Sequence, residues 1–167
     1  PCNVDKIFRK IKQFGHHARQ AGGVCAVEMA CWDLAGKAFG VPVYQMLGGQ
    51  FRNRVRLYAD TDQMKDGVAQ GKRLKERMDY GITYLKMDFG IELIRDVPGA
   101  LSVPIGQTVQ ERAMTMHPFT GVEITDKGIA LLEEYVGGVR SIVGMEVPLS
   151  TDHFGHIGVN SCIKLAR

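Results

Sequence analysis

Residues 24–49 read VCAVEMACWDLAGKAFGVPVYQMLGG, and the first part of this stretch has the spacing of a helix. Its apolar side chains recur at steps of three and four residues and so share one stripe: Val24, Val27, Cys31, Leu34, Ala35 and Ala38. Gly40 follows the last of them, and a glycine at that point permits a left-handed helix end. Pro42 cannot continue helical hydrogen bonding, and Gly48 and Gly49 make a second break. The stretch therefore predicts a buried helix that ends at Gly40.

The whole chain has the composition of an ordinary folded protein. Its 167 residues are 45% hydrophobic and 23% charged, which suffices for one domain with a sizeable core. The formal net charge of +3 is small, and the densest basic stretch, residues 72–77, interleaves a leucine and a glutamate as a solvated helix face does. It has no aromatic stacking partners, so we expect no nucleic-acid partner.

The sequence gives no sign of a membrane segment or of disulfides. No apolar run approaches the roughly 20 residues that cross a bilayer, and residues 1–6 do not have the pattern of a signal peptide. The four cysteines lack the two-residue spacing of zinc or redox pairs: Cys2, Cys25, Cys31 and Cys162. We expect a cytoplasmic protein with reduced, packing thiols and no membrane partner.

Apolar periodicity predicts helices that alternate with short β-segments. A first helix spans residues 4–14, ahead of the helix in 24–39. Three β-then-α units follow: a strand at 54–60 with a helix near 63–79, a strand at 82–89 with a helix near 125–142, and a strand at 147–152 with a helix that begins near residue 158. This alternation predicts an α/β fold with parallel strands covered by helices.

The connection between Phe89 and Thr125 is unusually long. It has about 35 residues, whereas a connection between a strand and its helix commonly has about 2 to 6. Long connections are often functional, and we expect this one, which we interpret as polar, to fold over or beside a substrate.

Residues 24–49 resemble the passage ALWDxxGKxxGxPVYxLLGG, which leads from capping domain to barrel in the mandelate racemase and muconate-lactonizing branch of the enolase superfamily. The resemblance implies that residues 1–49 are the helical part of an α+β capping domain. Residues 50–167 would then be the first three βα units of a (β/α)8 barrel. Because such a barrel needs eight units, we expect these residues to be part of a longer polypeptide. We expect four residues of the motif to pack and orient the helix rather than to contact a substrate: Trp32, Asp33, Gly36 and Lys37.

The second predicted strand carries the first candidate catalytic residues. Alternation puts Tyr84, Lys86 and Asp88 on one face and the apolar residues between them on the other. Similar enzymes end this strand in a Lys-x-Lys pair that holds a substrate carboxylate and removes the neighbouring proton. Lys86 matches the first lysine, and Asp88 replaces the second. Asp88 would then orient Lys86, hydrogen-bond a sugar hydroxyl, or form a salt bridge with no catalytic part.

Asp152 closes the third predicted strand, where the family has the first of three carboxylates that bind Mg²⁺. The resemblance thus implies that Asp152 is a magnesium ligand, with the remaining carboxylates on later strands. His153 and His156 follow it directly, at spacings that differ from those of the family. Each is a candidate substrate contact or acid, and each could equally be an ordinary loop residue.

Three further histidines are weaker candidates for substrate binding. His16 and His17 lie in the link between the first two predicted helices, and capping-domain loops select the substrate in related enzymes. His117 lies in the long connection. The alternative for all three is a position in solvent.

The resemblance implies a shared first step, in which a base removes the proton next to a substrate carboxylate while Mg²⁺ and a lysine stabilise the resulting enediolate. The polar set around Lys86 and Asp152 suits a substrate with many hydroxyls, so we favour dehydration of an acid sugar, a small-molecule carboxylate. Racemisation or cycloisomerisation in the same superfamily, or a non-catalytic ligand-binding role, are the alternatives. We expect a homo-oligomeric lyase formed by the longer chain, and residues 1–167 alone to be inactive.

Overall fold

The computed structural model describes residues 2–15, 22–113, 121–152 and 157–167. The chain divides into two compact units, residues 1–55 and 56–167. The first contains helices α1 (Val4–Ile11), α2 (Gly22–Phe39) and α3 (Val43–Met46). The second contains α4 (Gly67–Asp79), β1 (Leu85–Asp88), β2 (Leu101–Ser102), α5 (Val109–Ala113), β3 (Glu123–Ile124), α6 (Asp126–Val143), β4 (Leu149–Asp152) and α7 (Val159–Leu165).

The C-terminal end of α2 lies where the sequence predicts it. Gly40 has a φ of 69°, and the Val41 N–H donates to the Gly36 carbonyl at 3.0 Å. The Gly40 N–H donates to the Lys37 carbonyl at 3.3 Å, which completes a Schellman end. The chain turns back so closely that a Cβ on Gly36 would lie 2.8 Å from the Val41 carbonyl oxygen. Glycine is therefore required at Gly36 by space and favoured at Gly40 by conformation.

The apolar stripe of α2 is less buried than the sequence predicts. Ala35 is fully buried, but Val27 and Leu34 are each 47% exposed and Ala38 is exposed. Within its unit α2 packs against the short helices α1 and α3, which together cover only a narrow strip of an 18-residue helix. Lys37 and Asp33, from the motif, form an exposed ion pair of 2.6 Å within the helix, so they stabilise its surface.

The second unit is organised around β1, which has neighbours on both sides. β1 pairs in parallel with β4, with Leu85 opposite Leu149 and Asp88 opposite Asp152. On its other side Leu85 forms a parallel bridge with Ala59, and the Asp88 N–H donates to the Thr61 carbonyl at 2.8 Å. The parallel alternation of strands and helices predicted from the sequence is thus present.

The predicted strand at residues 54–60 is wrong in extent, because only Ala59 makes a bridge. The apolar residues before Ala59 are largely exposed, with Val55 and Leu57 each at 68%. The Arg56 side chain instead hydrogen-bonds to Thr83, donating to its carbonyl and to its hydroxyl oxygen.

Helices α4 and α6 pack closely on each other and on the apolar face of β1. Leu85 and Met87 are fully buried in one cluster with Leu74 of α4 and Val139 of α6. Both helices begin with a side-chain cap: the Ala69 N–H donates to Asp66, and the Gly128 N–H donates to Thr125. Close helix packing depends on glycine, since a Cβ on Gly67 would lie 2.0 Å from the Tyr135 carbonyl oxygen.

The described part of the long connection contributes apolar side chains to the core, which corrects our interpretation of it as a polar insertion. In its described part β2 and β3 pair antiparallel, with Leu101 opposite Ile124. Apolar side chains on both sides of this pair are buried in the same cluster as β1: Ile91, Ile94, Ala100, Leu101, Val122 and Ile124. The described part of this segment thus adds a short antiparallel strand pair and several buried side chains to the unit.

Two further expectations concern the burial of the cysteines and the presence of a membrane-spanning helix. Cys2, Cys25 and Cys31 are partly buried, as expected of packing side chains, but Cys162 is exposed. Among the described helices, none combines the length and the apolar character that crossing a membrane requires.

Candidate active site

A lysine and two carboxylates meet at the carboxyl end of the parallel strands. The Lys86 Nζ lies 2.7 Å from Asp60 Oδ1 and 2.9 Å from Asp152 Oδ2. Lys86 belongs to the central strand β1, Asp152 closes β4, and Asp60 follows the Ala59 bridge on the opposite side. The ammonium group of β1 therefore contacts both flanking chain segments at the carboxyl end of the strands.

Strand alternation explains why these groups meet. Leu85 and Met87 face the buried cluster, so Lys86 between them projects from the other face of β1. In-register pairing places Ser150 opposite Lys86 and Asp152 opposite Asp88. Asp60 lies beside Lys86 in the parallel register of the Ala59 bridge, and Asp152 lies two residues beyond Ser150, within reach of the long lysine side chain.

The lysine of this site is far less exposed to solvent than its two carboxylate partners. The Lys86 side chain is only 13% exposed, whereas those of Asp60 and Asp152 are 67% and 52% exposed. The ammonium is thus screened by the groups around it, while both carboxylates keep access to solvent and to small solutes. Ligands from solution can approach these carboxylates without rearrangement of the backbone.

Aromatic rings complete the environment of the lysine. The Lys86 Nζ lies 5.5 Å from the centroid of the Tyr58 ring, and the Arg56 guanidinium lies 5.5 Å from that of Tyr84. The two tyrosine rings are 6.5 Å apart. Cations over aromatic faces are attracted by the ring quadrupole. These four side chains and Asp152 line a cleft of about 510 Å³.

The charges at the site fix the protonation state of the lysine. Hydrogen bonds that the Lys86 ammonium donates, first to Asp60 and then to Asp152, hold the pKa of Lys86 well above its usual range. Lys86 is consequently a permanent cation near neutral pH. It can hold an anion or stabilise developing negative charge.

The structure separates the candidates that the sequence proposed. Lys86 and Asp152 come into direct contact, and Asp88 lies on the same strand face as Lys86 and opposite Asp152. All five histidines fall outside the described residues: His16, His17, His117, His153 and His156. Asp60 is the functional candidate that sequence reasoning missed. Its position at the end of the first predicted β-segment was the available signal, since carboxyl ends of parallel strands converge.

The chemistry of the donor groups fits a hard cation such as Mg²⁺. Asp60 and Asp152 already converge on one positive charge, and carboxylate oxygens are the ligands that Mg²⁺ prefers. Within the described ranges no group of three His, Cys, Asp or Glu residues could enclose a metal. Asp152 would therefore supply only part of a coordination shell, with water and other carboxylates completing it.

A larger cleft of about 690 Å³ lies at the opposite end of the strands. It is lined by apolar residues such as Met78, Ile82 and Val147, with Glu146 and Arg56 among its few charged groups. Ligands of parallel α/β sheets bind beyond the carboxyl ends of the strands, so the smaller cleft beside Lys86 is the better candidate.

Sequence comparison relates the chain to known enzymes. Residues 1–48 match the mandelate racemase / muconate lactonizing enzyme N-terminal domain. The D-gluconate dehydratase of Thermoproteus tenax is 28% identical over 149 residues, which cover 88% of this chain and 24% of that protein. The D-galactonate dehydratase of Verminephrobacter eiseniae is 34% identical over 119 residues, which cover 68% of this chain and 30% of that protein. The chain thus spans about a quarter to a third of these relatives.

Structural comparison agrees with this relationship. The mandelate racemase/muconate lactonizing enzyme-like protein from Rubrobacter xylanophilus superposes with a TM-score of 0.65 at 29% identity. The match covers 100% of this chain and 43% of that protein, so the α/β fold corresponds to part of a larger enolase-superfamily fold. As the sequence predicted, the chain is related to the mandelate racemase / muconate lactonizing enzyme branch of the enolase superfamily.

Proposed function

We propose that the full-length protein is a magnesium-dependent lyase that dehydrates an acid sugar. The observation that carries this proposal is the contact of the Lys86 ammonium with Asp60 and Asp152 at the carboxyl end of the strands. The names of the relatives, D-gluconate and D-galactonate dehydratases, supply the substrate class. In this reaction the proton next to the carboxylate and the hydroxyl on the following carbon leave as water, and the enol product becomes a 2-keto-3-deoxy acid.

We propose distinct roles for Lys86 and Asp152. Lys86, as a cation with little solvent access, would bind one oxygen of the substrate carboxylate and stabilise the enediolate that forms on proton loss. Asp152 would be a ligand of Mg²⁺, which when bound polarises the substrate carboxylate as a Lewis acid. Since the Lys86 ammonium contacts two carboxylates, we propose that the base is another group and that it lies outside residues 1–167.

The remaining candidate residues would determine which acid sugar is bound. Asp88 stands where related enzymes have a second lysine, and a carboxylate there can accept hydrogen bonds from sugar hydroxyls. We propose His153 and His156, which follow Asp152 in the sequence, as substrate contacts or acids. His16, His17 and His117 remain proposed substrate-binding residues.

A second function has one observation in its favour. Asp88 in place of a lysine removes the group that related enzymes use to abstract the proton, which would suit a relative that only binds a ligand. Racemisation or cycloisomerisation would keep the same first step and differ in the fate of the enediolate. These alternatives are separated by the products formed, because only dehydration yields a keto-deoxy acid.

The proposal includes the organisation of the longer protein. Residues 1–49 would belong to a capping domain and residues 50–167 to the first three βα units of a (β/α)8 barrel. The protein would be a cytoplasmic homo-oligomer that acts on small-molecule carboxylates. Residues 1–167 alone would be inactive because a partial barrel cannot enclose the substrate.

The test uses the full-length protein with Mg²⁺, D₂O and a panel that includes D-gluconate, D-galactonate and D-mannonate. We expect NMR to detect deuterium exchange at the α-carbon and a 2-keto-3-deoxy product from at least one of them. Lys86→Met should lower both rates at least about 100-fold, because it removes the charge that stabilises the enediolate. Lys72→Met, which alters an exposed lysine of α4, is the matched control and should leave both rates unchanged.

Two outcomes would contradict the proposal. Absence of exchange and of product with every acid sugar would favour a ligand-binding relative. Exchange without a keto-deoxy product would favour a racemase or cycloisomerase. Neither result would change the assignment of the chain to its superfamily.

A further inference from the structure

Asp60 contacts the Lys86 ammonium from the segment that lies on the opposite side of β1 from β4. The Nζ lies nearer to Asp60, at 2.7 Å, than to Asp152, at 2.9 Å. The two carboxylates come from opposite neighbours of β1, so they contact the ammonium from different directions. Asp60 therefore restrains Lys86 independently of Asp152.

The backbone of Asp60 is fixed on both sides of the residue. Ala59 forms a bridge with Leu85, and the Thr61 carbonyl accepts a hydrogen bond from the Asp88 N–H. Thr61 is also only 1% exposed, which anchors the segment in the unit. A carboxylate presented from such a segment is a rigid anchor, since little conformational freedom remains to be lost on pairing.

The proposed metal role of Asp152 creates a conflict that Asp60 would resolve. A carboxylate that binds a divalent cation attracts an ammonium group less strongly, and the cation itself repels that group. With Asp152 as its sole anchor, Lys86 would swing away when the metal binds. Asp60 is close enough to hold the ammonium in place while Asp152 serves the metal.

We infer that Asp60 is a positioning residue that retains the Lys86 ammonium beside the cleft when Asp152 binds Mg²⁺. The inference rests on the proposed function, because it concerns the same lysine and metal ligand. It adds a residue that is distant from Lys86 in the sequence, and it assigns Asp60 neither to the metal nor to the substrate. Tyr58, whose ring faces the same ammonium at 5.5 Å, would limit its movement on a third side.

The first test is structural and needs no turnover. Crystal structures of the full-length protein with Mg²⁺ alone would be compared for wild type, Asp60→Asn and Asp62→Asn. Asp62 is an exposed carboxylate two residues away and is the matched control. We expect the Nζ to stay within about 3 Å of Asp60 in wild type and in Asp62→Asn. In Asp60→Asn the ammonium should leave its wild-type position.

Three results would overturn the inference: an unmoved ammonium in Asp60→Asn, departure of the ammonium from Asp60 when wild type binds Mg²⁺, or Mg²⁺ that does not contact Asp152. Because none of these depends on the reaction, a protein that binds Mg²⁺ as expected but dehydrates nothing would refute the proposed function alone.

The second test asks whether Asp60 acts through Lys86. The rate of α-proton exchange would be measured for Asp60→Asn in wild type and in the Lys86→Met variant. We expect a loss of about 10-fold in the first background, because a misplaced ammonium stabilises the enediolate poorly. In the Lys86→Met background the loss should be less than about two-fold, since the group that Asp60 positions is absent.

Equal losses in both backgrounds would instead make Asp60 a direct substrate contact, and an unchanged exchange rate for Asp60→Asn in the wild-type background would also overturn the inference. Thermal unfolding midpoints should be unchanged, which separates positioning from a general loss of structure.

Discussion

The two faces of β1 differ sharply in their surroundings although they alternate within four residues. Leu85 and Met87 are fully buried against α4 and α6, whereas Lys86 between them reaches two carboxylates at the edge of a solvent-accessible cleft. One face contributes apolar burial to stability, and the other carries charge that burial would penalise. Substitutions on the buried face should therefore mainly lower stability, and substitutions on the charged face should mainly lower activity.

The largest expected effect on stability comes from the buried face. Met87→Ala should lower the free energy of unfolding by about 3 kcal/mol, because it removes buried methylene groups and leaves a cavity. Lys86→Met, one residue away, should have little effect on unfolding, since it exchanges a partly screened ion pair for an apolar chain of similar length. Urea unfolding of the full-length protein measures both. Equal losses of stability would refute the division between the two faces.

A second comparison tests the close contact of α4 with α6. Gly67→Ala should destabilise the protein by about 2 kcal/mol, because its Cβ would overlap the backbone of α6 at Tyr135. Gly137 lies in the same helix α6 but has open space at its Cβ position. Gly137→Ala should therefore stabilise by about 0.5 to 1 kcal/mol through its higher helix propensity. Thermal unfolding of the two variants gives the sign directly, and destabilisation by both would show that backbone conformation, not space, requires glycine.

The regular elements of this buried region could be predicted from the sequence. Apolar periodicity located α4, α6 and β1 because each buries one face, and burial leaves a repeat that can be counted. The helix end at Gly40 was predictable for a related reason, since glycine and proline act through local backbone conformation.

Contacts that depend on residues distant in the sequence were not predictable. The Arg56 side chain donates to the Thr83 carbonyl, 27 residues later, and nothing in residues 54–60 signals this contact. Asp60 was missed for the same reason, because its significance depends on Lys86, 26 residues later. The apolar residues near Ile91 were interpreted as part of a polar loop, since strands of two residues are too short to show alternation.

The smallest expected effect on stability concerns the hydroxyl of Tyr135, a polar group within the buried cluster. Tyr135 is only 8% exposed, and its hydroxyl donates to the Met64 carbonyl at 3.0 Å, with Gln70 Oε1 at 3.1 Å. Burial raises the pKa of Tyr135 to about 12. Because the folded pKa lies above the usual value of about 10, the stability that this group contributes is complete below pH 10 and is lost as the pH rises towards 12.

Tyr135→Phe separates the two contributions of this hydroxyl. At pH 7 the variant should lose about 1 kcal/mol, the net value of one buried hydrogen bond. Between pH 10 and 12 its stability should fall less steeply than that of wild type, because the group that resists ionisation is gone. Tyr80→Phe alters a tyrosine that is 83% exposed and should preserve the wild-type slope. Urea unfolding at half-unit pH steps measures the difference in slope between the two variants. Identical slopes would mean that Tyr135 ionises as readily in the folded protein as in the unfolded chain, and that the apolar side of β1 gains no pH dependence from this hydroxyl.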